Sequence, residues 1–385
     1  MSPLILTDAR IVTRDEVVLG TVEVEHGRIV SVDRGNTSLP GAQDLQGDYL
    51  IPGLIELHTD NMEKSFTPRP GVRWPSIPAA VAHDVQVVGA GITTVFDALA
   101  VGDVMQSSSR IAQLKDMSET VTKAKKQGLL RADHYLHMRC EMSFEMVVDL
   151  FTPFVENPLV RLVSLMDHAP GQRQFTNIDK YREYYQGKYH FSDAKMDAFI
   201  EDHMKTSQAY SAKHRTAIVE MCRAHALPMA SHDDATSAHV DEASSDGVSI
   251  SEFPTTEEAA KAARDKGLHV LMGAPNMVRG QSHSGNISAR ELAAQGAMDI
   301  LSSDYFPGSI LQGVFTMHQI SKASRCPRLL RPRPSILLTQ QAWRIVARLS
   351  RASAPTWCGC ASAKICRWSA KCGARAYAFI DGPGA

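Results

Sequence analysis

Five groups of residues in this chain have the types and placement that metal chemistry needs: His58-Thr59-Asp60-Asn61, His134 and His137 followed by Arg139-Cys140-Glu141, Asp167-His168, His232-Asp233-Asp234, and Ser303-Asp304-Tyr305. Imidazole and carboxylate donors gathered in this way suit Zn²⁺, Mn²⁺ or Fe²⁺ better than a purely structural role. Each group closes a short apolar run, in order LIELHTD, HYLHMRCE, VRLVSLMDH, LPMASHDD and MDILSSDY. His58 and Asp60 stand two apart, so on a strand they point to the same side. A single histidine at a strand end is as readily a hydrogen-bonded structural residue as a ligand. Five such endings in one chain make coincidence improbable. His137, Asp233, Asp234 and Glu252 are spare candidates for the ligand set, whereas His83 and His134 read as structural.

These groups need elements that bring them to one place. Three more runs, ITTVFDALA, GVSISEF and HVLMGAP, complete a set of eight, and helix-like stretches at 107–127, 194–225 and 256–267 lie between several of them. Eight buried strands alternating with helices over about 250 residues is the arithmetic of a (β/α)8 barrel, whose C-terminal strand ends converge on one mouth. Ahead of it, residues 1–52 alternate with period two and carry turn residues at His26-Gly27 and Gly47-Asp48, which predicts a small β domain. The barrel is expected over 53–318, with a least barrel-like insertion, rich in Lys, Arg and Tyr, at 172–215.

Composition excludes several function classes. The 385 residues include 41 Lys+Arg and 42 Asp+Glu, so there is no chain-wide basic field for general nucleic-acid binding. No run approaches the ~20 apolar residues of a membrane span. The N-terminus lacks the basic region of an ordinary secretory signal, which leads us to expect a cytoplasmic address. No Walker-type loop is present, which excludes a P-loop mechanism.

The motifs carry a resemblance. The small sheet followed by LIPGLIELHTD resembles the entry to a metal-dependent amidohydrolase barrel, and Asp60, standing where most of that superfamily has a second His, is shared with one branch. That branch is the diphosphatase family of the carbon–phosphorus lyase pathway. The similarity spans roughly residues 1–316 and includes GLIELHTDNMEKSFTPRPGVRWP, KYREYYQGKY, ASHDDAT and LMGAPNMVRGQSHSGN. It implies hydrolysis of α-D-ribose 1-methylphosphonate 5-triphosphate to the 5-phosphate and pyrophosphate. The alternative is an amidohydrolase or deaminase acting on a cyclic amide or base. It further implies that His58, Asp60, Glu141, His168 and His232 hold one or two divalent ions, Zn²⁺ first with Mn²⁺ or Fe²⁺ as alternatives, and that Asp304 takes the proton of the attacking water. A triphosphate carries about −4 and needs fixed cations to offset it. Candidates are Arg69, Arg73, Arg173, Lys180, Arg182, Lys188 and Arg279, with His283 in the turn that follows. The expected partner is this small-molecule substrate, with neither nucleic acid nor membrane, and homo-oligomerisation stays open.

The end of the chain differs from the rest. Residues 321–385 hold 12 basic residues, one acid (Asp381), five of the seven Cys and three of the four Trp, and none of the 15 His. The spacing of Cys358, Cys360, Cys366 and Cys372 fits no CxxC pair, which argues against a zinc module. Family members end with peptides such as Ala-Asp-Leu-Val-Arg-Val, and codons for that peptide read one base out of register yield Pro-Thr-Trp-Cys-Gly-Cys, which stands at 355–360. Residues 364–372 relate in the same way to another family-like ending. Residues 319–385 therefore read as an aberrant tail, out of frame from near residue 320, without the strands that would complete the small sheet. Sequencing the gene from an independent isolate tests this; if no shifted frame encodes the family ending, the idea fails.

Overall fold

The turn at His26-Gly27 shows how the N-terminal sheet forms. Both residues have positive φ, 49° and 73°, the type I′ geometry whose twist matches that of paired strands. It joins β2 (Val17–Glu25) to β3 (Arg28–Arg34), and β2 pairs antiparallel with β1 (Leu4–Val12). The short β4 (Gln43–Asp44) and β5 (Tyr49–Pro52) run parallel to β1. Leu6, Ala9, Ile11, Val22, Val24, Leu45 and Leu50 form the core of this domain. The computed structural model describes residues 3–323 apart from 14–15, 106–108, 176–177 and 283–284, together with the backbone of two later strands.

Eight parallel strands follow: β6 (Leu54–Thr59), β7 (Ile92–Val101), β8 (Asp133–Glu141), β9 (Val160–Met166), β10 (Met229–His232), β11 (Ile250–Glu252), β12 (His269–Gly273) and β13 (Ile300–Ser302). They are the eight apolar runs of the sequence, in order. Ile55, Leu57, Phe96, Leu162, Ala230, Ile250, Leu271 and Ile300, one or two from nearly every strand, fill the interior, so the barrel is a packed core and not a pore. The sheet is closed beyond β13 by two residues of the mouth. Asp304 bridges Thr59 in parallel, its N–H donates to the His58 carbonyl at 3.1 Å, and its carbonyl accepts from the Asp60 N–H at 3.1 Å. Closure of the barrel and placement of Asp304 beside Asp60 are thus one event.

Helices pack outside the strands: α1 (Asn61–Phe66), α2 (Ser76–Gly89), α3 (Ser109–Lys126), α4 (Val147–Phe151), α5 (Ile178–Tyr189), α6 (Asp193–Ala224), α7 (Ser237–Ser245), α8 (Glu257–Asp265), α9 (Ala274–Arg279), α10 (Ala289–Ala294) and α11 (Ser309–Ala323). Side chains of Ser192, Thr236, Thr256 and Ser288 cap α6, α7, α8 and α10, each bond stabilising its helix by about 1 kcal/mol. The expected insertion becomes α5 and the larger, N-terminal part of α6. It has a core of its own, Phe175, Tyr181, Tyr185, Met196 and Ile200, stacked above the mouth.

One expectation is corrected. The tail was expected to supply no strands to the small sheet, yet β14 (Ile365–Trp368) pairs antiparallel with β5, and β15 (Ala378–Ile380) pairs with β14. A sheet edge is filled through N–H and C=O groups that every non-proline residue carries, so loss of family-like side chains does not prevent pairing. Residues 324–364, 369–377 and 381–385 of the expected out-of-frame segment, with Cys358, Cys360 and Cys372, lie outside the described residues. Among the described residues no helix is long and apolar enough to cross a membrane.

Candidate active site at the mouth of the barrel

Glu252, the last residue of β11, organises the floor. Its Oε1 lies 3.3 Å from His58 Nδ1 and its Oε2 lies 3.2 Å from His232 Nδ1, while Ser164 donates to Oε2 at 2.5 Å. Burial alone would raise its pKa, but His137 and His58 hold it well below the ordinary carboxylate value. A carboxylate placed under two Nδ1 atoms fixes both tautomers and leaves both Nε2 lone pairs available. Phe253, the next residue, has φ 52° and packs edge-on against both rings at 5.0 and 5.4 Å. A bulky side chain in left-handed backbone costs on the order of 1 kcal/mol and is tolerated where surrounding structure imposes it.

His168 is held in the same manner from the other side. Its Nδ1 lies 2.6 Å from Glu141 Oε2, and its Nε2 lies 3.6 Å from Asp233 Oδ2. Asp233 Oδ2 is also 3.5 Å from His232 Nε2. One ligand atom each from His168, His232 and Asp233 therefore falls within 4.8 Å of the others. Burial opposes protonation of His168, but Glu141 beside it outweighs burial and lifts its pKa to about 10. Behind it runs a directed chain of hydrogen bonds. The Tyr181 hydroxyl donates to His203 Nδ1 (2.7 Å), His203 Nε2 to Ser143 Oγ (3.0 Å), and Ser143 to Glu141 Oε1 (2.7 Å). Glu141 Oε1 also accepts the His168 backbone N–H at 3.1 Å. The insertion helices are in this way tied to the site.

Asp60 and Asp304 complete the wall. Buried Asp60 Oδ1 has no hydrogen-bond partner among the described residues, and its Oδ2 lies 3.9 Å from Arg139 Nη1. Asp304 is raised to about 7 by burial and then by the charge of Asp60, with Arg139 opposing. A carboxylate titrating near neutrality is poised to exchange a proton at physiological pH. Arg139, on β8, leaves Nε and Nη1 buried without a hydrogen-bond partner among the described residues, a condition that costs roughly 1–3 kcal/mol or more for a charged group.

The cavity above these groups encloses about 480 Å³. His58, Asp60, Glu141, His168, His232 and Asp304 all line it, as the sequence led us to expect, but Glu141 stands behind His168 and not beside the converging Nε2 atoms. Lys188 and Arg279 also line it, Lys188 lying over the Tyr189 ring at 5.1 Å. Arg69, Arg73, Arg173, Lys180 and Arg182 do not. Arg73 pairs with Asp116, Lys180 with Glu183 and Arg182 with Asp197, and buried Arg173 ties Asp234 to Glu242. Arg69 sits in an exposed turn, its carbonyl accepting the Val72 N–H. Acids outside the cavity lining therefore hold Arg73, Arg173, Lys180 and Arg182. His283 lies outside the described residues. The sequence reading passed over Arg139 and Arg110 as cavity residues and kept Asp233 and Glu252 only as spares. Period two in His137-Arg139-Glu141 was the available signal, since all three share a face of β8. His83 and His134 sit in a separate buried network, as a structural role requires: Asp97 accepts from both at 2.7 Å.

The donor set fits a divalent ion. Imidazoles with Nδ1 anchored on carboxylates, and an acidic oxygen buried without a partner among the described residues, are what a cation in this place would satisfy, and at His168 it would take the place of the proton that Glu141 favours. His58, Asp60, His168, His232 and Asp233 are the residues that would hold it.

Comparison with known proteins completes the description. The chain is 50% identical over 312 residues, 81% of its length and 82% of the relative's, to the α-D-ribose 1-methylphosphonate 5-triphosphate diphosphatase of Escherichia coli K12. It is also similar to the crystal structure of a 5-methylcytosine deaminase from Klebsiella pneumoniae, with TM-score 0.56 and 13% identity over 90% of this chain and 86% of that one. The N-isopropylammelide isopropylaminohydrolase of Burkholderia multivorans gives TM-score 0.55 and 12% identity over 95% and 92%. At such identities these two structures speak for the fold alone. No protein-family model matches the chain.

Proposed function

The chain belongs to the α-D-ribose 1-methylphosphonate 5-triphosphate diphosphatases of the amidohydrolase superfamily, and from this premise we propose that it hydrolyses that triphosphate to the 5-phosphate and pyrophosphate. The observation that carries the reading is 50% identity across four-fifths of both chains. The mouth of the barrel supports it, because a buried cluster of metal donors, an acid titrating near 7 and inward cations occupy one cavity. One or two divalent ions, Zn²⁺ foremost with Mn²⁺ or Fe²⁺ as alternatives, would supply Lewis acidity there and bring a water's pKa toward ~7.

The residues divide the remaining work. Glu252 orients His58 and His232 through Nδ1, and Glu141 orients His168 through Nδ1, so the Nε2 atom of each would be turned to a bound ion once His168 has given up its Nε2 proton. Asp304 takes the proton of the attacking water; the water oxygen bonds to phosphorus, and the phosphorus–oxygen bond to pyrophosphate breaks with its electron pair on the departing group. Lys188 and Arg279 meet the outer phosphates from the rim. Tyr184, Tyr185 and Phe253 wall the cavity against bulk water, which strengthens each charge interaction inside.

The test is ³¹P NMR of the triphosphate incubated with the metal-supplemented chain and, in parallel, with a version carrying the restored reading frame. Pyrophosphate from both establishes the activity. Release by the restored version alone assigns it to the family and leaves this chain with an inactivating tail. Silence from both, with ammonia released from a cyclic amide or base, would replace the reading with the deaminase alternative.

A further inference from the structure

Arg139 lines the mouth but neither belongs to the donor set nor accepts the water's proton. It projects from the middle of the mouth-facing end of β8, between His137, which lies deeper, and Glu141, which backs His168. Its side chain is 13% exposed, its Nε and Nη1 are buried with no hydrogen-bond partner among the described residues, and its nearest acid, Asp60, is at 3.9 Å, beyond hydrogen-bond reach. Arg173, Arg215 and Arg264 by contrast make short ion pairs, Arg173 with Asp234 and Glu242, Arg215 with Asp246 and Arg264 with Asp299. A guanidinium with two dry nitrogens that make no hydrogen bond, and only a long ion pair to Asp60, is suited to an anion that arrives to bond with it.

Its position selects the anion. Arg139 and Asp304 both adjoin Asp60, Arg139 through its guanidinium and Asp304 through the backbone contact at barrel closure. Lys188 and Arg279 share the cavity lining, and Arg139 is close enough for its charge to act on His58, Asp233 and Asp304. A cation would also be repelled by a metal ion held at Asp60 unless negative oxygens came between the two. Resting on the diphosphatase reading, we propose that Arg139 is a catalytic residue that donates to non-bridging oxygens of the phosphoryl group under attack. It compensates the charge that builds there as water adds and pyrophosphate departs. A planar fork of donors suits two oxygens of one phosphoryl group, which an ammonium does not reproduce.

The experiment compares the full-length, metal-loaded wild type with R139A, R139Q and R139K. It measures pyrophosphate release, metal content, thermal unfolding, and the binding of inorganic tripolyphosphate by calorimetry. R139A is expected to lower turnover by about 10²–10³-fold and to weaken tripolyphosphate binding at least about tenfold, with metal content and unfolding temperature retained. Guanidinium chloride at a low, non-denaturing concentration is expected to restore part of the R139A turnover, and R139K to fall between R139A and wild type. Two results overturn the proposal: undiminished turnover and binding in R139A and R139Q, or loss of metal in step with activity and no rescue, which would make Arg139 a strut for Asp60. Should the wild type release no pyrophosphate from the ribose triphosphate, the functional reading fails on its own, and equal tripolyphosphate binding by wild type and R139Q would then reject Arg139 separately.

Discussion

Two buried clusters of histidine and acid lie within this barrel, and they have opposite character. Behind the sheet, between α2, β7 and β8, Asp97 accepts from His83 and His134 at 2.7 Å each. His134 reaches Asp84 at 3.1 Å, and Asp84 accepts the Arg131 and Ala132 N–H groups. His83 Nδ1 meets Asn61 at 3.1 Å, so every imidazole nitrogen there is used. At the mouth the same residue types leave work undone. His168 and His232 bring Nε2 to Asp233 beside a cavity, and buried atoms of Asp60 and Arg139 have no hydrogen-bond partner among the described residues. In both clusters three ligand atoms lie within 4.8 Å of one another. What separates them is satisfaction: a closed network is architecture, and an open one beside a cavity is a site.

The sharpest way to break this contrast is to remove one acid from each cluster. Asp304→Asn should reduce pyrophosphate release by at least about 10³-fold while metal content and stability stay near wild type; turnover retained in this variant would sink its assignment as the base. Asp97→Ala should do the reverse. Removing one member of a buried charged network destabilises by roughly 3–5 kcal/mol, read as a lower urea midpoint, while kcat per folded molecule changes little.

The closed cluster also predicts a pH dependence. Burial would lower the pKa of His134, but Asp97 and then Asp84 outweigh burial and raise it from 6.5 to about 9. A folded-state value above the unfolded one stabilises fully below 6.5 and loses that contribution as pH rises through about 9. The amount is on the order of 3 kcal/mol. Urea unfolding between these limits should show wild type losing stability and His134→Gln losing much less.

Smaller effects test the chain of hydrogen bonds that joins the two helices of the insertion to the mouth. His203→Ala removes the donor to Ser143 and should weaken metal binding by about 10–100-fold, measured by competition with a chromogenic chelator. Tyr181→Phe removes only the terminal donor and should cost about 0.5–1.5 kcal/mol. Metal affinity unchanged in both would make the chain a packing feature.

The order of the eight strands and the residues at their ends were legible because each strand is a short apolar run closed by polar residues. A (β/α)8 barrel turns that local pattern into a common mouth. The helices at 107–127, 194–225 and 256–267 were legible for a similar reason, and α3, α6 and α8 lie there. Which cations serve the cavity was not. Arg173 and Lys188 belong to the same cation-rich insertion, yet Arg173 is buried against Asp234 and Glu242, and Lys188 reaches the cavity over three tyrosines. Long flexible side chains take direction from partners distant in sequence, and the partners of Arg73, Arg173 and Arg182 lie 15 to 69 positions away.

By itself, then, the sequence determined the barrel, the small sheet before it, and five of the strand ends that carry donors, because periodicity and residue type are local properties. Tertiary structure alone decided that Glu141 backs His168 from behind, that Glu252 lies against two imidazoles, that Asp304 is raised to about 7 by burial and then by Asp60, and that Nε and Nη1 of Arg139 are buried without a hydrogen bond among the described residues. Those facts depend on distances between strands separated by up to about 250 positions in the chain, and on burial, which acts on a group only after the sheet has closed.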